Sequence, residues 1–428
     1  MCFWWDRRGN VAVLFAICLV PILTVVGMAI DYTRAVNART AMQAALDNAA
    51  LMVMRDTVGL SHSEIVARAK SYFEGLLSRK DIAGLSLTVA YMPDTGKGAS
   101  LKLGATGQLP TDFMKVAGYP TMTLDVGSTA SWGNTRLRVA LALDSTGSMA
   151  QHGKMPAMQD AAKKLIDQLK ANAKNPDDLY ISIVPFSTHI NTASNYSKFW
   201  LDWTDWEEVN GSCSKGGNTR TKCLNKGGDW TPDDHSTWNG CITDRDEPYD
   251  VQKSPPILAK ATMFQPEQFS PCPAELLPLT TDWSGLKARI DTMKAGGPTN
   301  QPVGMAWAWM SLMQTEPLNA PAEAAGYNYR KILIVLSDGL NTKNKKSGNG
   351  SDHDVYVDGR QRLLCDNIRA DNVVVYSIQV NTDKDPESDV LKYCATSLDN
   401  FFMLTSASQI LSAFDQIAAS LSKLRLAK

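Results

Sequence analysis

This 428-residue chain is short of charge: charged residues make up 20% and the net charge is −1, against the ~25% charged residues usual in soluble domains. With no basic field to hold a phosphate backbone, nucleic-acid binding is excluded. Histidines number five, and no CxxC, HxxxH or HExxH spacing occurs, which sets aside the common zinc patterns. Glycine-rich nucleotide loops and the GxSxG nucleophile elbow are also missing, so no familiar enzyme signature is present. Gly and Pro follow no period while hydrophobic residues reach 44%, and this excludes collagen-like and disordered chains. Beyond residue 30 there is no second long apolar run.

The first such run is therefore informative. Residues 11–30 are twenty without a charge, interrupted by Pro21, Thr24 and Gly27, and at ~1.5 Å per residue they cover a ~30 Å hydrocarbon core. Arg7 and Arg8 precede the run, and Asp31, Tyr32, Thr33 and Arg34 follow it. A cleaved signal would be shorter and end in a small-x-small site, so a retained single span is expected. Positive residues at the short N-terminus favour a cytoplasmic placement for that end, with Arg34 and Arg39 weakening the bias.

The cysteines bear on the same question. Cys2 and Cys18 lie before and inside the span, whereas Cys213, Cys223, Cys241, Cys272, Cys365 and Cys394 follow it. Four of these six crowd into a Trp- and Gly-rich stretch where cross-links would supply order. Disulfides, and hence an oxidising compartment such as a bacterial periplasm, are expected. The pairing expected is Cys213 with Cys223, Cys241 with Cys272 and Cys365 with Cys394, one of fifteen connectivities open to six cysteines. Only the third has a separate argument, its members lying on successive helix patterns either side of a strand.

Past the span, residues 32–56 lack Gly and Pro and place Ala35, Ala38, Met42, Ala45, Ala49 and Met52 on one helical face. A second helix pattern at 63–77 and extended runs at 85–91, 100–107 and 122–132 describe a small α+β stalk. From Arg136 the pattern alternates strand and helix, with continuous apolar runs at 137–143, 179–186, 331–336 and 373–380 and helix patterns at 155–169, 301–313, 361–370 and 407–424. Such runs fit strands buried on both faces of an α/β, doubly wound, mostly parallel sheet. A Cys- and Trp-rich insert, about 195–282, breaks the alternation. The expected domains are 1–56, 57–133 and 134–428.

Three loops at one sheet edge carry the chemistry. The first buried strand ends in Asp144-Ser145-Thr146-Gly147-Ser148, the third in Ser337-Asp338-Gly339, and between them Gly296-Gly297-Pro298-Thr299-Asn300 precedes a helix. Ligands of open α/β sheets lie beyond the carboxyl ends of the strands, where these loops can converge. Hydroxyl and carboxylate oxygens suit a hard cation, Mg²⁺ or Mn²⁺.

In this combination the chain resembles the von Willebrand factor A domain and its metal-ion-dependent adhesion site. Asp144, Thr146, Ser148, Thr299 and Asp338 match the family pattern position by position, with Met149 continuing the common Gly-Ser-Met form. The resemblance implies hydroxyls bound directly to the metal, aspartates acting partly through water, and an open position for a partner's carboxylate. The segments Arg8-Gly9-Asn10-Val11-Ala12-Val13-Leu14-Phe15-Ala16, Ala29-Ile30-Asp31-Tyr32 and Met42-Gln43-Ala44-Ala45-Leu46-Asp47-Asn48-Ala49-Ala50-Leu51 resemble TadG-like proteins of the tight-adherence (Flp) pilus system, as do Cys394-Ala395, Phe401-Phe402 and 413–418 near the end. A prepilin-type site after Gly9 would want Glu where Leu14 stands. The resemblance thus implies an uncleaved, inner-membrane assembly component with its bulk in the periplasm and a protein partner, not a processed pilin and not an enzyme.

Other features have plainer readings. His152 could serve as a general base in a metal-dependent hydrolase with Asp338, but without a recognisable carboxylate partner it reads as a polar helix-start residue. Asp352, His353, Asp354 and Asp358 could form a second cation site, a solvated loop being the simpler reading. Trp307 and Trp309 sit in an otherwise apolar helix, and core packing explains at least one of them. Trp200, Trp203 and Trp206, interleaved with Asp202, Asp205, Glu207 and Glu208, read either as the core of the insert or as a partner-binding patch. A structural spacer with a degenerate metal site is the remaining alternative to adhesion and hydrolysis.

Overall fold

The computed structural model describes residues 9–56, 60–92, 99–132, 135–173, 175–193 and 195–426; Cys2, Arg7 and Arg8 lie outside them. The chain divides into two compact units, 1–134 with 426–428, and 135–425.

The first unit opens with a 48-residue helix, α1 (Gly9–Asp56), followed by α2 (His62–Leu76) and the strands β1 (Ala83–Met92), β2 (Ala99–Pro110) and β3 (Thr121–Trp132). Phe15, Ile17, Ile22 and Val25 on the first half of α1 are exposed, and the stretch Ile17–Met54 is long and apolar enough to cross a membrane. After Asp31 the helix becomes one-sided: Ala35, Ala38, Met42, Ala45, Leu46, Ala49 and Val53 are buried at three- and four-residue spacing. Met52, expected on that face, is exposed, because at 3.6 residues per turn Val53 falls nearer the centre of the stripe. A Ser61–Glu64 capping box starts α2, which buries Ile65, Ala69 and Phe73. The strands form an antiparallel meander, and Leu101, Leu103, Ala105 and Leu109 of β2 join the residues of α1 and α2 in one core. The helical extension, expected as part of the anchor, therefore shares its core with the stalk.

The second unit begins with β4 (Thr135–Asp144), α3 (Lys154–Ala171), β5 (Leu179–Phe186) and β6 (Ile190–Asn191). Within the insert come α4 (Thr204–Val209), β7 (Gly211–Cys213), α5 (Arg220–Asn225), β8 (Trp230–Pro232) and β9 (Cys241–Ile242). The chain continues through β10 (Leu277–Thr280), α6 (Trp283–Asp291), α7 (Gln301–Ser311), β11 (Asn328–Ser337), α8 (Val355–Ala370), β12 (Val374–Val380), α9 (Asp389–Cys394), β13 (Phe401–Leu404) and α10 (Gln409–Leu426). The sheet is mixed α/β in character, ordered β13-β12-β11-β4-β5-β6-β9, with β10 also on β5. From β13 to β5 neighbours run parallel; β6, β9 and β10 pair antiparallel. All ten residues of β4 are buried, Arg136 and Arg138 among them, which is why its second half, 139–143, is an unbroken apolar run. One core contains Leu165 of α3, Leu286 of α6 and Phe414 of α10; the other contains Trp307 of α7, Leu364 of α8 and Leu391 of α9.

The insert is tied into the second of these cores. Trp200 and Phe264 lie 6.2 and 4.6 Å from the Trp307 ring, centre to centre, while Trp203 stacks on His235 at 3.8 Å and meets Trp206 and Trp238 edge-on. Bridges join Cys213 to Cys223 and Cys241 to Cys272, and a third, Cys365 to Cys394, joins α8 to α9. Helix α8 begins six residues before its expected start because Asp354 caps it, accepting the N–H groups of Tyr356 and Val357. The acidic run before it does not gather into one site: His353 pairs with Asp358 at 2.8 Å, and Asp352 accepts from Asn349.

Candidate functional site

In the parallel pairing of β4 with β11, Leu143 lies opposite Leu336. Both strands consequently leave the sheet at one level, and Asp144, Ser337 and Asp338 emerge together. Asp144 is fully buried; its Oδ1 accepts the Thr146 N–H at 2.7 Å and its Oδ2 accepts the Ser337 hydroxyl at 2.5 Å. The Thr146 and Ser148 hydroxyls are 3.1 Å apart, and Ser148 donates to Asp338 Oδ1 at 2.7 Å. Four of the five residues expected at the site thus form one linked set of oxygens.

Thr299 reaches the same edge through its backbone. Gly296 N–H donates to the Ser145 carbonyl at 2.7 Å, and Gly147 N–H donates to the Gly297 carbonyl at 2.9 Å. Gly297 has φ +85°, a left-handed conformation that a side chain would strain. The Thr299 N–H is held by the Thr342 hydroxyl at 2.9 Å. Below these loops a buried amide network fixes the turn after β11: Gln301 donates to Ser337 and to the Gly339 carbonyl, Asn341 accepts the Gln301 N–H, and Gln361 donates to Gln301. Such satisfied networks rigidify the loops they join.

Sequence reading missed the charge that faces this set. Lys154, the first residue of α3 and buried, places its ammonium 2.7 Å from Asp338 Oδ2 and 2.7 Å from Asp383 Oδ2. Burial works against that ammonium, yet the hydrogen bonds it donates to Asp338 and Asp383 outweigh it and hold the group above the ordinary lysine range. Asp383 is held below the usual carboxylate range, chiefly by the Lys154 hydrogen bond. His152, expected to lack a carboxylate partner, has one: its Nε2 is 3.0 Å from Asp383 Oδ1. Burial first, and then the nearby Asp338 charge, push Asp144 up to about 7.

Hard-cation chemistry fits this donor set: two hydroxyls and two carboxylates, one of them destabilised by the other, meet at one edge. Among the described residues no group of three or more His, Cys, Asp or Glu side chains could hold a metal, so a cation here depends on the hydroxyls of Thr146 and Ser148. A cation here would have to share Asp338 with the buried Lys154.

The molecule is thus an α/β protein whose oxygen cluster lies at the carboxyl edge of a mixed sheet, and whose sequence carries an apolar helix in its N-terminal unit. Residues 9–56, the part of the chain that resembles tight-adherence pilus proteins, match the family described as "Putative Flp pilus-assembly TadE/G-like". No curated protein matches the chain. Solved structures with a similar arrangement include the vWF domain of the type V pili tip protein Mfa5 from Porphyromonas gingivalis, at 10% identity and TM-score 0.37, with 68% of this chain and 97% of that one covered. The pilus adhesin SpaC from Lactobacillus rhamnosus GG is 9% identical at TM-score 0.37, over 79% of this chain and 35% of its own. Proximal thread matrix protein 1 from the mussel byssus is 12% identical at TM-score 0.34, over 67% and 46%, and one of its structures has a zinc-occupied MIDAS motif. This chain therefore spans less than half the length of the mussel protein and of SpaC.

Proposed function

We propose that this protein is a membrane-anchored periplasmic component of Flp, or tight-adherence, pilus assembly or anchoring, and that it grips a protein partner through a metal-ion-dependent adhesion site. In this reading the second unit is a doubly wound von Willebrand factor A type domain with a Cys/Trp-rich insert, and the apolar part of α1 crosses the inner membrane once. The observation that carries the reading is the linked set Asp144, Thr146, Ser148 and Asp338 at the ends of adjacent strands. These residues and Thr299 would hold Mg²⁺ or Mn²⁺, which when bound supplies a Lewis-acidic position for a carboxylate of the partner. The protein's own part is to fix the oxygens: Ser337 and the Thr146 N–H orient Asp144, Ser148 orients Asp338, and the amide network below holds the turn. The N-terminal family match supports the pilus context.

The contact of His152 with Asp383 gives the hydrolase alternative a paired imidazole, but that contact also engages Nε2 and joins it to the lysine that neutralises Asp338. Adhesion accounts for the same contacts without turnover. The test is capture of pilus-assembly proteins from cross-linked envelopes by wild type and by Asp144→Ala, each with Mg²⁺ and with EDTA. Enrichment confined to wild type in Mg²⁺ is expected; equal capture in all four samples would remove the metal from the mechanism.

A further inference from the structure

The turn between β2 and β3, residues 111–120, is bound to α1 where the apolar run ends. Asp31, the first charged residue after that run, is buried; its carboxylate accepts the N–H groups of Asp112, Phe113 and Met114 at 3.1, 2.8 and 2.7 Å. Arg34 pairs with Asp112 one turn further along the helix. The Phe113 ring packs on Gly27, inside the apolar run; a Cβ at Gly27 would meet the ring at 2.5 Å, so the close approach requires glycine there. The turn is thus held level with the last turn of the 11–30 segment and reaches back along it.

What the turn then presents outward is apolar. Val116 is 86% exposed, Tyr119 62% and Phe113 46%, with Lys115 exposed between them. A polar chain has no reason to display these residues to water beside an apolar helix. Aromatic rings with a polar tip and lysines with an apolar stem are the residues that settle at the boundary of a bilayer. We propose that residues 111–120 form a second membrane contact, an interfacial wedge whose Phe113, Val116 and Tyr119 enter the leaflet that α1 leaves while Lys115 meets lipid phosphates. The occupant of the patch is lipid because the patch is continuous with the apolar surface of α1. The wedge fixes the tilt and depth at which the first unit stands on the membrane. It rests on the reading of residues 11–30 as a membrane span.

The full chain, with Cys2→Ser and Cys18→Ser, is reconstituted in vesicles of phosphatidylethanolamine and phosphatidylglycerol, with an environment-sensitive fluorophore on a single added cysteine. Val25→Cys probes the span, Val116→Cys the wedge, and Ser86→Cys an exposed strand position. Quenching is read with lipids carrying a nitroxide on the acyl chain. Strong quenching at 25 and 116, with little at 86, is the expected result. Absence of quenching at 25 overturns the span itself. Quenching at 25 with 116 no more quenched than 86 overturns the wedge and leaves the span standing. A blue-shifted but unquenched probe at 116 means that protein, such as a second copy, covers the patch, and also overturns it.

Discussion

Asp144, Thr146, Ser148 and Asp338 were legible because each sits in a short motif that closes a strand, and strand ends can be read from apolar runs. Lys154 was not, because its significance comes from Asp338 and from Asp383, 229 residues away. A lysine at the start of an amphipathic helix ordinarily reads as surface. Its burial makes it the residue whose removal separates structural from metal roles. Lys154→Met leaves the Asp338 and Asp383 charges without their cation, and breaking such a pair costs about 3 kcal/mol or more. Denaturant unfolding in EDTA should show a loss of that size. Added Mg²⁺ should recover more stability in the variant than in wild type, since the metal then has Asp338 to itself and a ligand of the native state stabilises it. Equal gains in the two proteins would show that lysine and cation do not share Asp338.

At the scale of elements, the long buried strands and amphipathic helices declared themselves, whereas β6, β9, β10 and β13 did not. Strands of two to four residues carry too little periodicity to be seen and exist because a neighbouring strand edge is there to pair with. The attachment of the insert was hidden for the same reason. Asp244, just after β9, accepts from the Asn300 side chain at 2.8 Å and from the Lys345 N–H at 3.1 Å, so the insert is fastened to the N-terminus of α7, one residue from Thr299. Burial pushes Asp244 up to about 6 against a usual 3.8, over the opposing hydrogen bonds from the Lys345 N–H and the Asn300 side chain. Between about pH 4 and 6 the folded chain then holds a proton that the unfolded chain has lost, so stability falls as pH rises, by up to roughly 3 kcal/mol. Asp244→Asn keeps an oxygen for both donors and has no charge to bury. Its melting temperature should match wild type below pH 4 and exceed it above pH 6; a constant offset across the range would assign the effect to packing.

At the scale of the whole molecule, the apolar helix and the cysteines constrain each other. Three bridges use six of the eight cysteines, all of them beyond α1. Two of these bridges staple an insert whose Trp200, Trp206 and Trp238 lie in the core of the second unit. Disulfides persist only where the compartment is oxidising. If α1 crosses the inner membrane with its short end in the cytoplasm, the six must be protected in cells while Cys2 and Cys18, the latter free and exposed, are not. Cells quenched in acid, denatured and alkylated with a mass-tagged maleimide should therefore yield a chain bearing at most two tags, rising to eight after reduction. More than two tags before reduction would mean that the second unit matured in a reducing compartment, and the inferred topology would have to be reversed.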